Sequence, residues 1–454
     1  MFNLASACSV RQREGDGCRR RIRINEMGFE EDIERVLHEI NREELVKLTA
    51  SLVRINSVWD PDGGTSEQPA AELVAEWAEG NGFQVEMDQV APGRPNTIIT
   101  WECEPGPRTL LFEGHTDVVT PGDPSAWNHD PFGAEIIGKR MYGRGTNDTK
   151  GNLAAMLIAM AALKRSQVRL AGRMIGGILC DEEGAMIGVL DFIERGRADR
   201  ITGAVICEPQ NGLVCTSQKG AVRARYTIKA RMSHGAMPLS GLNGAPALSR
   251  LIEGLHKMER EAVKNFGRHE HLGWPSITPT VIQSPSVGPA QLNVMPGEAK
   301  LLVDVRTIPG QSHEAIREGL KALAHQVEHA VREHYDAYDR ELAVQRPHNL
   351  KVNVEFITDR PCTKTDKQDA IVLAADWATR HVSGKEPVHA GVPGATDGTF
   401  LWQKRNIPIV TMGAGEREVA HQADEWVDLD QLVETARIYA LSALHYLQPG
   451  NSDG

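Results

Sequence analysis

Residues 110–151 read LLFEGHTDVVTPGDPSAWNHDPFGAEIIGKRMYGRGTNDTKG, and the fold is decided there. The stretch opens on an apolar strand, 110–112, that runs into Gly114-His115-Thr116-Asp117. It closes on Gly143-Arg144-Gly145-Thr146-Asn147-Asp148, just ahead of a long apolar helix. One histidine and two carboxylates are thus delivered where strands hand over to loops. Open α/β sheets put their chemistry at such points.

Towards the N-terminus, Asn41 and Glu44 have the spacing of a capping box, and Leu45, Leu48, Leu52 and Val53 repeat on one helical face. A second helix is predicted over 70–81, a strand through Phe83, Val85 and Met87, and another at 97–101. Towards the C-terminus, the helix after Gly151 carries Leu153, Met156, Leu157, Met160 and Leu163. Residues 174–180 form a near-continuous apolar strand of the kind parallel sheets bury, ending on Asp181-Glu182-Glu183-Gly184. Residues 204–207 repeat the device and end on Glu208-Pro209. This alternation predicts an α/β fold, a helix-flanked, mostly parallel sheet.

After about Ser217 the rhythm changes to a strand at 222–230, a helix at 245–264, strands at 278–283 and 299–306, a helix at 313–333 and a strand at 352–357. That order, βαββαβ, is ferredoxin-like, and it interrupts the larger sheet as an insertion. Helix resumes over 369–380, a short strand at 407–411 follows, and Asp428 opens a last helix to Tyr446. The expected organisation is an N-terminal extension, partly disordered, over 1–40; a catalytic domain over 41–217 and 363–454; and an inserted domain over 218–362. Residues 1–26 mix Cys8 and Cys18 with six arginines and show no period. They read as an extension, or as a start placed too early with Met27 the true beginning.

A net charge of -11 over 454 residues argues against nucleic acid or an anionic membrane as partner. The longest apolar run, 153–163, is too short to cross a bilayer. No basic segment followed by an apolar core and cleavage site is read at the start. Seven cysteines without a C-x-x-C do not make a disulfide framework in a chain this long, and Cys180, Cys207 and Cys215 read as small buried residues. The cytosol is the expected compartment.

Five side chains at strand ends or loops could hold a cation: His115, Asp148, Glu183, Glu208 and His421. Burying carboxylates at strand ends costs several kcal/mol unless positive charge compensates. A divalent metal does so, and mixed histidine and carboxylate donors suit zinc or its neighbours. Gly143-x-Gly145 and Gly413-x-Gly415 complete neither G-x-G-x-x-G nor a phosphate loop. A serine nucleophile lacks its G-x-S-x-G elbow.

The same residues carry a resemblance. Gly114-His115-Thr116-Asp117-Val118-Val119, Trp127 with Asp130-Pro131-Phe132, and Gly143-Arg144-Gly145-x-x-Asp148-x-Lys150-Gly151 are joined by Asp181-Glu182-Glu183-Gly184, Glu208-Pro209, Ser233-His234-Gly235, Asp304-Val305-Arg306 and His421. In order and spacing they resemble the metallopeptidase family of acetylornithine deacetylase, succinyl-diaminopimelate desuccinylase, aminoacylase and glutamate carboxypeptidases, across nearly the whole chain after residue 40. Thr149 departs from the family, which usually has methionine or another residue there.

The resemblance implies two divalent metal ions, zinc first and cobalt or manganese next, bridged by Asp148. His115 and Glu208 would complete one, Glu183 and His421 the other. Asp117 would fix the tautomer of His115, and Glu182 would be the general base. The inserted domain would act as lid and dimerisation domain of a homodimer. His234 would reach across from a second subunit to the oxyanion, and Arg306 would clamp a substrate carboxylate in a pocket lined by Asn293, Gly394 and Thr396. The implied reaction is hydrolysis of the amide bond of an N-acyl amino acid or small peptide with a free carboxylate. Two alternatives stay open at this stage: hydrolysis of another C–N bond, as in an arylamine or ureido substrate, and a non-catalytic binding relative.

Overall fold

The computed structural model describes residues 28–345 and 349–449. The reading of 1–26 lies outside the described residues. The chain divides into two compact units, one of residues up to Val214 with Asp366–Val388 and Ile407 onward, the other of Cys215–Thr365 with His389–Asn406.

In the first unit the strands run in the order Gln84–Ala91, Arg94–Glu102, Ala171–Leu179, Glu104–His115, Gly203–Cys207 and Ile409–Met412. The last four are parallel to one another, and the first two add an antiparallel edge, Arg94–Glu102 running antiparallel to Ala171–Leu179. The mixed α/β fold with a mostly parallel sheet is therefore as the alternation predicted. The helix Lys150–Arg165 is buried almost all round, from Lys150 to Leu163. Its alanines let it lie close to the sheet and to the helix Leu429–Tyr446, and a helix apolar on every face belongs in a core. Asn41 caps the helix Arg42–Val53 by accepting from the Glu44 amide at 3.0 Å. The Glu44 carboxylate does not close the capping box; it grips Arg165 through two bonds of 2.7 Å.

One boundary needs correction. Residues 28–38 are helical, with Ile33, Val36 and then Ile40 buried in the core of this unit. They are part of the fold, because an apolar stripe at that spacing has to be covered.

The second unit holds the βαββαβ order: Gly220–Lys229, helix Ala245–Phe266, Ser276–Gln283, Glu298–Thr307, helix His313–Leu342 and Lys351–Arg360. Spatially the strands lie Ser276–Gln283, Glu298–Thr307, Gly220–Lys229, Lys351–Arg360, all antiparallel. Burial alternates strictly along Glu298–Thr307, one face on the helices and one outward. The second helix runs beyond the expected residue 333 because Tyr335 and Asp339 continue its buried face. Residues 389–406, expected in the catalytic part, group with this unit instead. The strand His389–Val392 pairs along Val214–Gln218, which also pairs with Thr363–Lys364. Among the described residues no helix is long and apolar enough to cross a membrane, and Cys180, Cys207 and Cys215 are buried free thiols.

Candidate metal centre

The sheet of the first unit delivers the site. Glu104–His115 and Gly203–Cys207 are parallel neighbours in register from Leu110↔Gly203 to Glu113↔Ile206. Two residues further along, that register sets His115 beside Glu208. His115 Nε2 lies 3.4 Å from Glu208 Oε1 and 3.3 Å from Asp148 Oδ1. The other oxygen of Asp148 faces the second imidazole: His421 Nε2 is 3.3 Å from Asp148 Oδ2 and 2.8 Å from Glu183 Oε1. Two groups result, His115–Asp148–Glu208 and Asp148–Glu183–His421, each with ligand atoms within 4.8 Å of one another. Asp148 belongs to both.

His115 Nδ1 bonds the backbone carbonyl of Asp117 at 3.0 Å, with the Asp117 carboxylate at 3.4 Å. That contact fixes the ring so that Nε2 faces the carboxylates. The Asp117 carboxylate itself accepts from the amides of Glu182 and Glu183, at 3.1 and 3.0 Å. One side chain thus ties the end of the His115 strand to the turn that carries Glu182, which is buried.

The electrostatics test whether this donor set fits metal. Burial opposes charge on His115, but the carboxylates of Asp117, Asp148 and Glu208 around the ring outweigh it and hold the imidazole well above its ordinary value. Asp148 and Glu183 push His421 up to about 10. Burial, then the charge of Asp148, pushes Glu208 up to about 7 and raises Glu183. Burial acts on Asp148 too, yet the two imidazoles prevail and hold it below the usual carboxylate range. Three crowded carboxylates thus draw protons onto two histidines, and divalent cations would supply that positive charge outright. His115 Nε2 is buried and makes no hydrogen bond of its own, as befits a ligand atom. The residues present fit two divalent metals.

Five further residues singled out from the sequence lie in the second unit. His234 sits on the short strand Ser233–His234, paired with Val294–Met295, and the Gly235 amide donates to the Asn293 carbonyl at 2.6 Å, so His234 and Asn293 are neighbours. Arg306 donates to Asp304 through Nε and Nη2, at 2.6 and 3.2 Å. Thr396 is buried and tied to Gln218 by two bonds, 2.8 and 3.2 Å. A Cβ at Gly394 would meet nothing within 4 Å.

A family model described as peptidase family M20/M25/M40 matches residues 111–445. The chain belongs to this family. The succinyl-diaminopimelate desuccinylase of Methylorubrum extorquens is 30% identical over 404 residues, covering 85% of this chain and 95% of that one. The succinyl-diaminopimelate desuccinylase 1 of a Ruegeria species is 27% identical over 410 residues, covering 87% and 96%. The M20 family metallo-carboxypeptidase Sso-CP2 from Sulfolobus solfataricus has the same fold, with a TM-score of 0.72 at 18% identity over 89% of this chain and 99% of that one. Membership makes this chain an amide-bond hydrolase, with the two ligand groups as a possible dinuclear metal site.

Within this M20 member, sequence reasoning missed the residue that shapes the Asp148 loop. Glu425 is fully buried. Its Oε1 accepts from the amides of Gly145, Asn147 and Asp148, at 2.9, 3.0 and 3.1 Å, and its Oε2 pairs with the buried Arg144. Arg144 in turn donates to the His421 carbonyl at 3.3 Å, so one ion pair braces Asp148 and His421 on two separate loops. A signal was present: Glu425, Val427 and Leu429 alternate inward along and just past the strand Trp426–Asp428. The departure at Thr149 is structural, its hydroxyl donating to the Cys207 carbonyl. Lys150 is buried with its ammonium on the Ile55 carbonyl at 2.7 Å.

Proposed function

We propose that the protein is a di-metal hydrolase that cleaves the amide bond of an N-acyl amino acid or small peptide carrying a free carboxylate. The observation that carries this reading is the division of Asp148, one oxygen toward each histidine of two three-residue groups. His115 and Glu208 would hold one metal, Glu183 and His421 the other, and Asp148 both. Zinc is the expected ion, and cobalt or manganese accept the same donors. Bound there, the metals supply Lewis acidity that polarises a carbonyl and makes water a better nucleophile at neutral pH.

The protein's own residues do the rest. Glu183 is committed as a ligand, which leaves Glu182 to take the proton of the attacking water and hand it to the departing amine nitrogen. Asp117 keeps His115 in one tautomer and holds the amides of Glu182 and Glu183. His234, from a second subunit, donates to the developing oxyanion. Arg306 recognises the substrate carboxylate. Its Nε and Nη2 are engaged by Asp304, which fixes the plane of the guanidinium for that contact. Asn293, Gly394 and Thr396 line the same pocket. The relatives named as desuccinylases support an N-acylated amino acid as the substrate class.

The working form is a homodimer joined through the second unit, in the cytosol. Support for the dimer is the edge strand Ser276–Gln283, on which Val281 and Ile282 are exposed, since an apolar edge strand invites pairing.

Amine release from N-acetyl, N-succinyl and N-benzoyl amino acids and from dipeptides tests the reading, with metal-loaded protein set against chelator-stripped protein. Metal-dependent release from one class is expected. Glu182→Gln should keep its metal and lose about 10²–10⁴-fold in kcat. No release from any class with two metals bound would overturn the reading, and near-normal turnover in Glu182→Gln would move the proton transfer to another group.

A further inference from the structure

Beneath the turn that carries Glu182 lies a buried ionic chain that the mechanism above does not use. Arg94, the first residue of the strand Arg94–Glu102, is 6% exposed, while Glu67 and Asp181 are 0% and 6% exposed. Arg94 Nε donates to Glu67 Oε1 at 2.7 Å, and its Nη2 reaches Asp181 Oδ1 at 2.7 Å. The ring of Trp59 covers the guanidinium, 4.6 Å from its centre to Cζ.

Asp181 is where the chain leaves the sheet. It adopts φ +64°, a left-handed conformation that is uncommon for a residue with a side chain. Its free oxygen, Oδ2, accepts from the amides of Ala185 and Ile187, at 2.9 and 3.3 Å. Its backbone carbonyl accepts from Gly184 and Met186, at 3.2 and 2.8 Å. The whole turn is therefore wrapped on one aspartate. A Cβ at Gly184 would sit 2.2 Å from Asp181 Oδ1, so the wrap requires glycine there.

We infer that Arg94 is a positioning residue for Glu182, acting through Asp181; this rests on the hydrolase reading above. A buried carboxylate persists only where positive charge or hydrogen bonds compensate it. Arg94 is the cation bonded to Asp181. Without it, Asp181 gains by turning toward water and releasing the amides of Ala185 and Ile187. Glu182, the next residue in the turn wrapped on Asp181, moves with it. Displacements of about 1 Å in a reacting group cost about 10²-fold in rate, and removing a partner that orients a ligand shell costs about 10–100-fold.

Arg94→Met and Arg94→Lys distinguish this role from simple anchoring of the helix Gln68–Gly80 through Glu67. The two readouts are kcat and KM of the metal-loaded enzyme, and amide hydrogen exchange of the metal-free chain by peptide mass spectrometry. In Arg94→Met we expect kcat to fall about 10–100-fold with KM little changed, and exchange to quicken across 182–187 while 144–148 stays as in the wild type. Arg94→Lys, which keeps the charge but loses the planar fork, should recover part of kcat. Methylguanidinium should restore part of it to Arg94→Met.

Unchanged exchange at 182–187, or kcat within about twofold of the wild type, overturns the inference. Exchange that quickens only across 68–80 assigns Arg94 to the helix and overturns it equally. If Arg94→Met does not fold, Arg94→Lys decides on the same two readouts. If the wild type hydrolyses nothing, the hydrolase reading falls by itself, and exchange at 182–187 still judges the link from Arg94 to the turn.

Discussion

The two ligand groups share Asp148 and little else. His115 ends one strand and Glu208 directly follows its parallel neighbour, 1% and 6% exposed, so the register of the sheet fixes their separation before any ligand arrives. Glu183 and His421 stand on turns, the His421 side chain 50% exposed and its backbone at φ +67°. Their separation depends on side chains, Asp117 under one turn and the Arg144–Glu425 pair under the other. Sites built on strands are held more tightly than sites built on loops. The buried group should bind its metal firmly, and the open group should exchange metal with solvent.

The largest effect is expected where the comparison collapses. Asp148→Asn removes the charge both groups share, so metal content by inductively coupled plasma mass spectrometry should fall from two toward none and amine release to the level of chelated protein. Retention of both metals would refute the shared-ligand reading. Next come the two histidines taken separately. His115→Ala leaves Asp148 and Glu208 buried with no imidazole between them, and added metal salt should not restore activity. His421→Ala leaves Asp148 and Glu183 near solvent, where water can complete the coordination, and added zinc or cobalt should restore part of it. The reverse order would break the distinction. A smaller effect is kinetic: a chelator should strip the wild type in two phases, the faster removing about one metal per chain. A single phase removing both metals together would mean that the groups act as one.

Much of this contrast was legible in the sequence. His115, Glu183 and Glu208 follow apolar strands and Asp148 follows a glycine-rich turn, patterns that local periodicity exposes. The inserted βαββαβ order was equally clear, because each strand and helix there has its own period. What escaped reading depends on partners distant in the chain. Glu425 stands beside Asp424 in a run where either could face water, and Asp424 binds the amides of Asn128 and His129 at the surface. Only the pairing of Trp426–Asp428 with Arg140–Tyr142 turns Glu425 inward. Residues 389–406 were misassigned for a similar reason, since a four-residue strand does not announce which sheet edge it will join. The helix over 28–38 was hidden by its own charge, with Ile33 and Val36 set among glutamates and an arginine.

The smallest effect tests the brace itself. Glu425→Gln keeps the volume of the side chain and one acceptor oxygen, but it removes the charge. The amide oxygen can face the amides of Gly145, Asn147 and Asp148, or it can face Arg144, and its NH2 group must take the other position. Facing Arg144, that group sets donor against donor and leaves a buried guanidinium without its counter-ion. Facing the three amides, it costs the loop its acceptor. Breaking a buried pair at one partner costs about 3–5 kcal/mol, which should appear as a lowered unfolding midpoint in urea with an unchanged slope. At the centre the loss should be about 10–100-fold in metal affinity. It should fall more heavily on the open group, because Arg144 also donates to the His421 carbonyl whereas the His115 strand end does not depend on it. Equal weakening of both metals would mean that Glu425 serves Asp148 alone, and the contrast between a sheet-built and a loop-built half would then rest on His421 exposure rather than on how its turn is held.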